Sequence, residues 1–252
     1  MGAKRFPPFA QFAVPGPAVA AAPGGSALGA ASAAAGGVAE RALPAVVVLA
    51  AGRIAVPARH EARQGLAGSN VLGATLTQAL AAEMPVVLVT TEALAQEARR
   101  VLALRDIVVL PDGPLGMDVG MGYCMAVGVG VRPHANGWIM LPGDMPMVQP
   151  STLRAVAAQL VSHPVVYPMH RGRSGRPLGF AAELYSELIK LDSDDAPRRL
   201  CLRYPASGVE VEDPGVLLDV DTSDDLLAAR QSLSLPLPPE LPRSPDLPPV
   251  AR

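Results

Sequence analysis

Two acidic stretches stand directly after apolar runs. Trp138-Ile139-Met140-Leu141 leads into Pro142-Gly143-Asp144-Met145-Pro146, and Leu217-Leu218 leads into Asp219-Val220-Asp221-Thr222-Ser223-Asp224-Asp225-Leu226. Carboxylates from the ends of two strands can bind one Mg²⁺, a hard cation that takes oxygen ligands and keeps waters and substrate phosphates as the others. In the second stretch Thr222 or Ser223 suits a helix cap, and Asp224 and Asp225 suit the first turn. Asp219 and Asp221 have no such duty. Pro-Gly-Asp alone is also what a surface turn would use. A third stretch, Leu49-Ala50-Ala51-Gly52-Arg53, follows Val46-Val47-Val48. Small residues there let backbone approach a ligand, and loop N–H groups can face phosphate oxygens; a tight turn explains them equally well. No G-x-G-x-x-G follows Gly52, and the Gly-Lys-Ser/Thr element of a P-loop is missing.

Other groups carry less. His60-Glu61 has no second His at zincin spacing. His134, His163 and His170 read as loop residues. Cys124 lies in an Ala/Val/Gly segment and reads as a small buried apolar group. Arg171-Gly172-Arg173-Ser174-Gly175-Arg176 is a basic, glycine-rich turn that fits either a hairpin tip or contact with a phosphorylated substrate.

The elements that must position these residues are legible as apolar runs. Val46–Ala50, Val86–Val89, Ile107–Leu110, Trp138–Leu141, Val165–Tyr167 and Leu217–Val220 alternate with helical patterns such as Glu92–Leu102. Continuous apolar strands separated by helices predict an α/β fold, Rossmann-like, in three α/β/α layers around a mainly parallel sheet. Ligands in such sheets bind at the carboxyl ends of the strands, which is where the three motifs fall.

Of 252 residues, 50% are hydrophobic and only 4% aromatic, so the predicted core is built from Ala, Val and Leu. A net charge of −2 offers no basic surface for nucleic acid. Two cysteines exclude a disulfide scaffold. No apolar run is long enough to span a membrane. Residues 1–44, rich in Ala, Gly and Pro, are expected to be disordered. Lys4 and Arg5 are followed by prolines rather than an apolar signal segment. Residues 233–252 form a proline-rich tail, which leaves 45–232 as one folded, cytoplasmic domain.

LAAGR at 49–53, GWIMLPGDMPMV at 137–148, SGRPLGF at 174–180 and LLDVDTSDDL at 217–226 resemble, in that order, the MobA-like nucleotidyltransferases, and most closely the molybdenum-cofactor cytidylyltransferase branch. The resemblance covers about residues 45–230. It implies a nucleotide-diphospho-sugar transferase fold and transfer of CMP from CTP, or another NTP, to the phosphate of molybdenum cofactor, with release of pyrophosphate. It carries over Asp144 and Asp221 as Mg²⁺ ligands and Arg53 as a loop cation. Leu49, Ala50, Ala51, Gly52, Arg59 and Thr90 become nucleotide-binding positions, and Gly175, Arg176, Pro177 and Arg198 substrate-binding positions. A molybdenum hydroxylase is the implied partner.

The first loop departs from the family pattern. Val56 stands where an Arg is expected, Ala58 where a Gly is, and Glu61 where a Lys is. A carboxylate about 4 Å from a phosphate, in place of an ammonium, reverses an interaction of about 4 kcal/mol at an effective dielectric of about 20. Gly120 replaces a Ser that meets the nucleotide, and Arg176 replaces a His or Asn. Asp192–Arg198 keeps only Asp194 and Arg198 of a Gly-Asp-x-Gly-Ala-Arg element. Two functions are therefore carried forward: an active cytidylyltransferase, and a catalytically weak relative that binds nucleotide or pterin and hands it to a molybdenum enzyme.

Overall fold

The computed structural model describes residues 43–51, 65–66, 69–110, 120–220 and the single positions 225, 227 and 229. Apart from Leu43 and Pro44, the segments expected to be disordered lie outside these residues.

The described strands are β1 (Ala45–Ala50), β2 (Gly65–Leu66), β3 (Ser69–Asn70), β4 (Val86–Thr91), β5 (Ile107–Leu110), β6 (Gly137–Pro142), β7 (Val165–His170), β8 (Arg173–Ser174), β9 (Leu178–Ala181) and β10 (Ala206–Glu210). The helices are α1 (Val71–Leu80), α2 (Glu92–Ala98), α3 (Met121–Val131), α4 (Pro150–Gln159), α5 (Tyr185–Leu188) and α6 (Ala196–Arg203). An eight-stranded sheet runs β10-β7-β9-β6-β1-β4-β5, with β8 hydrogen-bonded to β7. β1 pairs in parallel with both β4 and β6, and β4 in parallel with β5. β9 is antiparallel to both β6 and β7, so the mainly parallel sheet is mixed.

Alternation along β1 explains the layers. Val46, Val48 and Ala50 face a core formed with Leu72 and Leu76 of α1, Leu94 of α2 and Leu153 and Val156 of α4. Val47 and Leu49 face the opposite core, with Cys124, Met125 and Val129 of α3, Leu188 of α5 and Leu200 of α6. The period of two and the burial of both faces give the three layers expected from the sequence. On the second face α3 lies very close to β1: a Cβ on Gly128 would come within 2.3 Å of Val47 Cγ1.

Five of the six apolar runs are strands. Leu217–Val220 is not. Pro214–Leu217 forms a 3₁₀ helix whose N-cap is Asp213, and Leu218–Val220 continues without regular structure. Pro214 has no N–H to give a ladder, Leu218 N donates to Gly215 O at 3.2 Å, and Val220 N donates away to another element. The basic turn is a hairpin: His170 pairs with Arg173, and Arg171 and Gly172 have φ of 50° and 74°. Positive φ at both central residues is the turn geometry that matches strand twist.

Candidate nucleotidyl-transfer site

The carboxyl ends of β1, β4 and β6 lie side by side, because Ala50 is in register with Thr90 and Leu49 with Pro142. Directly beyond β6, Gly143 N donates to Leu49 O at 2.9 Å. Thr75 Oγ1 of α1 donates to Gly143 O at 3.0 Å. The fit is tight: a Cβ on Gly143 would meet Ala50 Cβ at 3.0 Å and Leu49 O at 3.2 Å, so the neighbours would have to give way. The two motifs LAAG and PGD are thus joined backbone to backbone, and Asp144 follows from that joint.

Asp144 is only 6% exposed. Its carbonyl accepts from Val220 N at 2.9 Å. Val220 is held by burial against Val71 of α1 and Ala229. Residue 220 precedes Asp221 in the chain, so the two acidic motifs of the sequence meet at this bond. Asp221 itself lies outside the described residues, as do Gly52, Arg53, Arg59 and the departures Val56, Ala58 and Glu61. Asp219, the other carboxylate of that motif, is exposed.

Leu49, Ala50 and Ala51 are buried at 8%, 6% and 6% exposure. Thr90 and Thr91 close β4 beside them, fully buried, and neither hydroxyl has a hydrogen-bond partner among the described residues. An unmet buried hydroxyl is costly and uncommon. By alternation Thr90 lies on the α1 face and Thr91 on the α3 face.

Gly175, Arg176 and Pro177 connect β8 to β9. Arg176 N donates to Val216 O at 2.9 Å, and a Cβ on Gly175 would lie 2.5 Å from that oxygen. Gly175 and Arg176 therefore lie against the same Asp213–Val220 segment that reaches Asp144. Arg198 is exposed on α6, in the layer of α3, and none of the backbone contacts that hold Asp144 involves it.

Gly120 has a structural cause. It caps α3, and a Cβ there would lie 2.9 Å from Asp194 N; one on Gly122 would lie 2.5 Å from Ser193 O. The 193–194 loop presses on the helix start, where Asp194 Oδ1 accepts from Met121 N at 2.8 Å. A carboxylate of the protein thus occupies an N-terminal position that attracts anions.

Two residues outside the sequence reading shape the site. Thr75 had no signal beyond being a hydroxyl in an apolar helix. Asp213 stands in Asp-Pro-Gly, which reads as an ordinary turn. It is 2% exposed and accepts from Gln149 N, Thr152 Oγ1 and Gly215 N at 2.8, 2.6 and 2.9 Å.

A carboxylate is the donor type that a hard divalent cation takes, so Asp144 fits such an ion. Among the described residues no three His, Cys, Asp or Glu side chains gather into a metal cluster. No described helix is long and apolar enough to cross a membrane. Cys124 and Cys201 are not poised for nucleophilic work: burial pushes both thiols up to about 11, helped at Cys124 by the negative charge of Asp194.

The sheet order, the three layers and the motifs grouped at the strand ends define a nucleotidyltransferase of the nucleotide-diphospho-sugar transferase fold. Residues 46–207 match the MobA-like NTP transferase domain, and the chain belongs to that family. Rv0371c from Mycobacterium tuberculosis H37Rv is 30% identical, with a TM-score of 0.63, over 75% of this chain and 98% of that one. Its complex with manganese is similar at 30% identity and a TM-score of 0.61, over 75% of this chain and 98% of that one. Molybdopterin-guanine dinucleotide biosynthesis protein A from Archaeoglobus fulgidus, 18% identical with a TM-score of 0.51 over 75% of this chain and 98% of that one, shares the fold. No curated protein matches the chain.

Proposed function

We propose that this MobA-like nucleotidyltransferase transfers CMP from CTP to the terminal phosphate of molybdenum cofactor, releasing pyrophosphate, with Asp144 and Asp221 as ligands of Mg²⁺. The observation that carries the reading is the buried Asp144 carboxylate at the carboxyl edge of the sheet, joined through Gly143 to Leu49 and through its own carbonyl to Val220. The manganese complex of a relative at 30% identity supports a divalent cation. The motif spellings LAAGR and DVDTSDDL support the cofactor and the cytosine base.

In this reaction a phosphate oxygen of the acceptor forms a bond to the α-phosphorus of CTP, and the bond from that phosphorus to the β-phosphate oxygen breaks. The bound cation supplies neutralisation of phosphate charge. The protein's share is positioning. Ala50 and Ala51 leave room for the nucleotide against the strand ends, and Thr90 offers its unmet hydroxyl to it. The family pattern assigns Gly52, Arg53 and Arg59 to nucleotide binding, with the two arginines as the cations for the triphosphate. Gly175, Arg176 and Pro177 form the acceptor side; Arg198 is assigned to it by the family pattern alone, its helix lying in the layer of α3. The reading puts the protein in the cytoplasm, with a molybdenum hydroxylase as the consumer of the product.

Glu61, Val56 and Ala58 favour a second reading: a weak or inactive relative that carries nucleotide or pterin to such an enzyme. One assay separates the two. Purified protein, Mg²⁺ and molybdenum cofactor are mixed with CTP, GTP or ATP, and pyrophosphate is followed. Release with CTP alone supports the transferase. Release with GTP or ATP alone overturns the base assignment, and none with any nucleotide supports the carrier.

A further inference from the structure

The Asp213–Val220 segment crosses three parts of the protein without being a strand. Asp213 receives the hydrogen bonds of Gln149 N, Thr152 Oγ1 and Gly215 N. Gln149 and Thr152 begin α4, so this carboxylate caps that helix from outside, where its dipole favours negative charge. Gly215 lies so close to the loop after Asp144 that a Cβ on it would come within 2.2 Å of Met147 O. Val216 O accepts from Arg176 N, and Val220 N donates to Asp144 O, both at 2.9 Å. The near end of the segment is thus fixed by one buried carboxylate, and its far end meets the backbone carbonyl of Asp144, the residue whose side chain is proposed to hold the cation.

Resting on the reading of Asp144 as a metal ligand, we infer that Asp213 is a positioning residue for the cation site: its carboxylate registers the segment so that the N–H of Val220 meets the carbonyl of Asp144 and holds the main chain that carries the Asp144 side chain. Asp213 does not touch substrate. Its anchors lie on α4 and on the segment itself, and it acts through the backbone of residues 214–220. A carboxylate is needed because both of its oxygens accept hydrogen bonds, and an amide of the same shape has only one accepting oxygen.

The test is Asp213→Asn, close to isosteric, beside Val129→Ala, which lowers stability from the core on the other face of the sheet. Mn²⁺ is titrated into each folded protein, and free ion is followed by electron paramagnetic resonance. Exchange of the Val220 amide is measured against that of Val48 in the central strand. Asp213→Asn is expected to raise the Mn²⁺ dissociation constant at least fivefold, and to speed Val220 exchange at least tenfold more than Val48 exchange. Val129→Ala should leave Mn²⁺ affinity unchanged. A smaller rise in Asp213→Asn, or an equal loss of affinity in Val129→Ala, overturns the inference. Failure of the wild type to take up Mn²⁺ overturns the metal reading instead. Val220 exchange then decides alone: selective acceleration supports the positioning role of Asp213, and parallel change with Val48 overturns it.

Discussion

The backbone N–H of Val220 donates to the carbonyl of Asp144 at 2.9 Å, across 76 positions of sequence (220 − 144). Asp144 sits at the end of a central strand, and Val220 lies in a segment with no regular structure. The bond ties a sheet edge to a piece of chain that follows the last described strand. The bond is made by the main chain of Asp144, so replacing the side chain keeps this tie between the two segments. Asp144→Ala is expected to lower the rate of pyrophosphate release by at least about 10³, the order at stake when charge neutralisation is lost in phosphoryl transfer. Circular dichroism should be unchanged. Turnover within tenfold of wild type would refute the metal assignment.

Gly120→Ser restores the residue type of the family pattern, yet the structure has no room for it. The added Cβ would lie 2.9 Å from Asp194 N, a backbone atom that cannot turn aside. Overpacking of this kind costs about 1–3 kcal/mol. Thermal unfolding should therefore come earlier, and nucleotide affinity should not improve. A variant as stable as wild type would show that the 193–194 loop yields freely.

Asp194→Ala removes the acceptor for Met121 N at the start of α3. Loss of such a cap costs about 1 kcal/mol, which for a domain of this size moves the midpoint by about 2–4 °C. Differential scanning calorimetry reads this directly, and an unchanged midpoint would mean that the bond contributes nothing.

The thiols predict a pH dependence. Both are held near pKa 11 by burial, above their ordinary value of 9.0. Folding therefore favours the neutral thiol. The associated stability is fully present below about pH 9 and is lost as pH rises through about 11. At pH 7.5 iodoacetamide should label the native protein far more slowly than the urea-unfolded chain. Equal rates would show that neither thiol is shielded.

Glu61→Lys addresses the loop. Placing an ammonium where the family pattern has one should raise kcat/KM with CTP by at least tenfold if triphosphate charge limits the reaction. Pyrophosphate release under subsaturating CTP is the measurement. No gain would shift weight to Arg53 and Arg59 as the working cations.

Much of the fold was legible because burial on both faces writes strands such as Val46–Ala50 and Trp138–Leu141 as unbroken apolar runs. β9 and β10 were not: Leu178-Gly179-Phe180-Ala181 and Ala206-Ser207-Gly208-Val209-Glu210 mix glycine and polar residues with few β-branched ones. Both are recruited by pairing with β7 rather than by local preference. Leu217–Val220 misled for the opposite reason. Its composition suits a strand, but Pro214 and the Asp213 side chain wind it into a turn first. At the site, Asp144 was legible from its place between prolines and a glycine. Asp213 and Thr75 were not, since the bonds from Thr152 to Asp213 and from Thr75 to Gly143 span 61 and 68 positions.

The family match ends at residue 207, six positions before Asp213 (213 − 207). A gene trimmed to that match would keep seven of the sheet's eight strands, β10 being cut after Ser207. It would also discard the stretch that reaches back to Asp144. A chain ended near position 210 would keep the residues of the described sheet and lose the backbone donor of Val220 that meets Asp144 O.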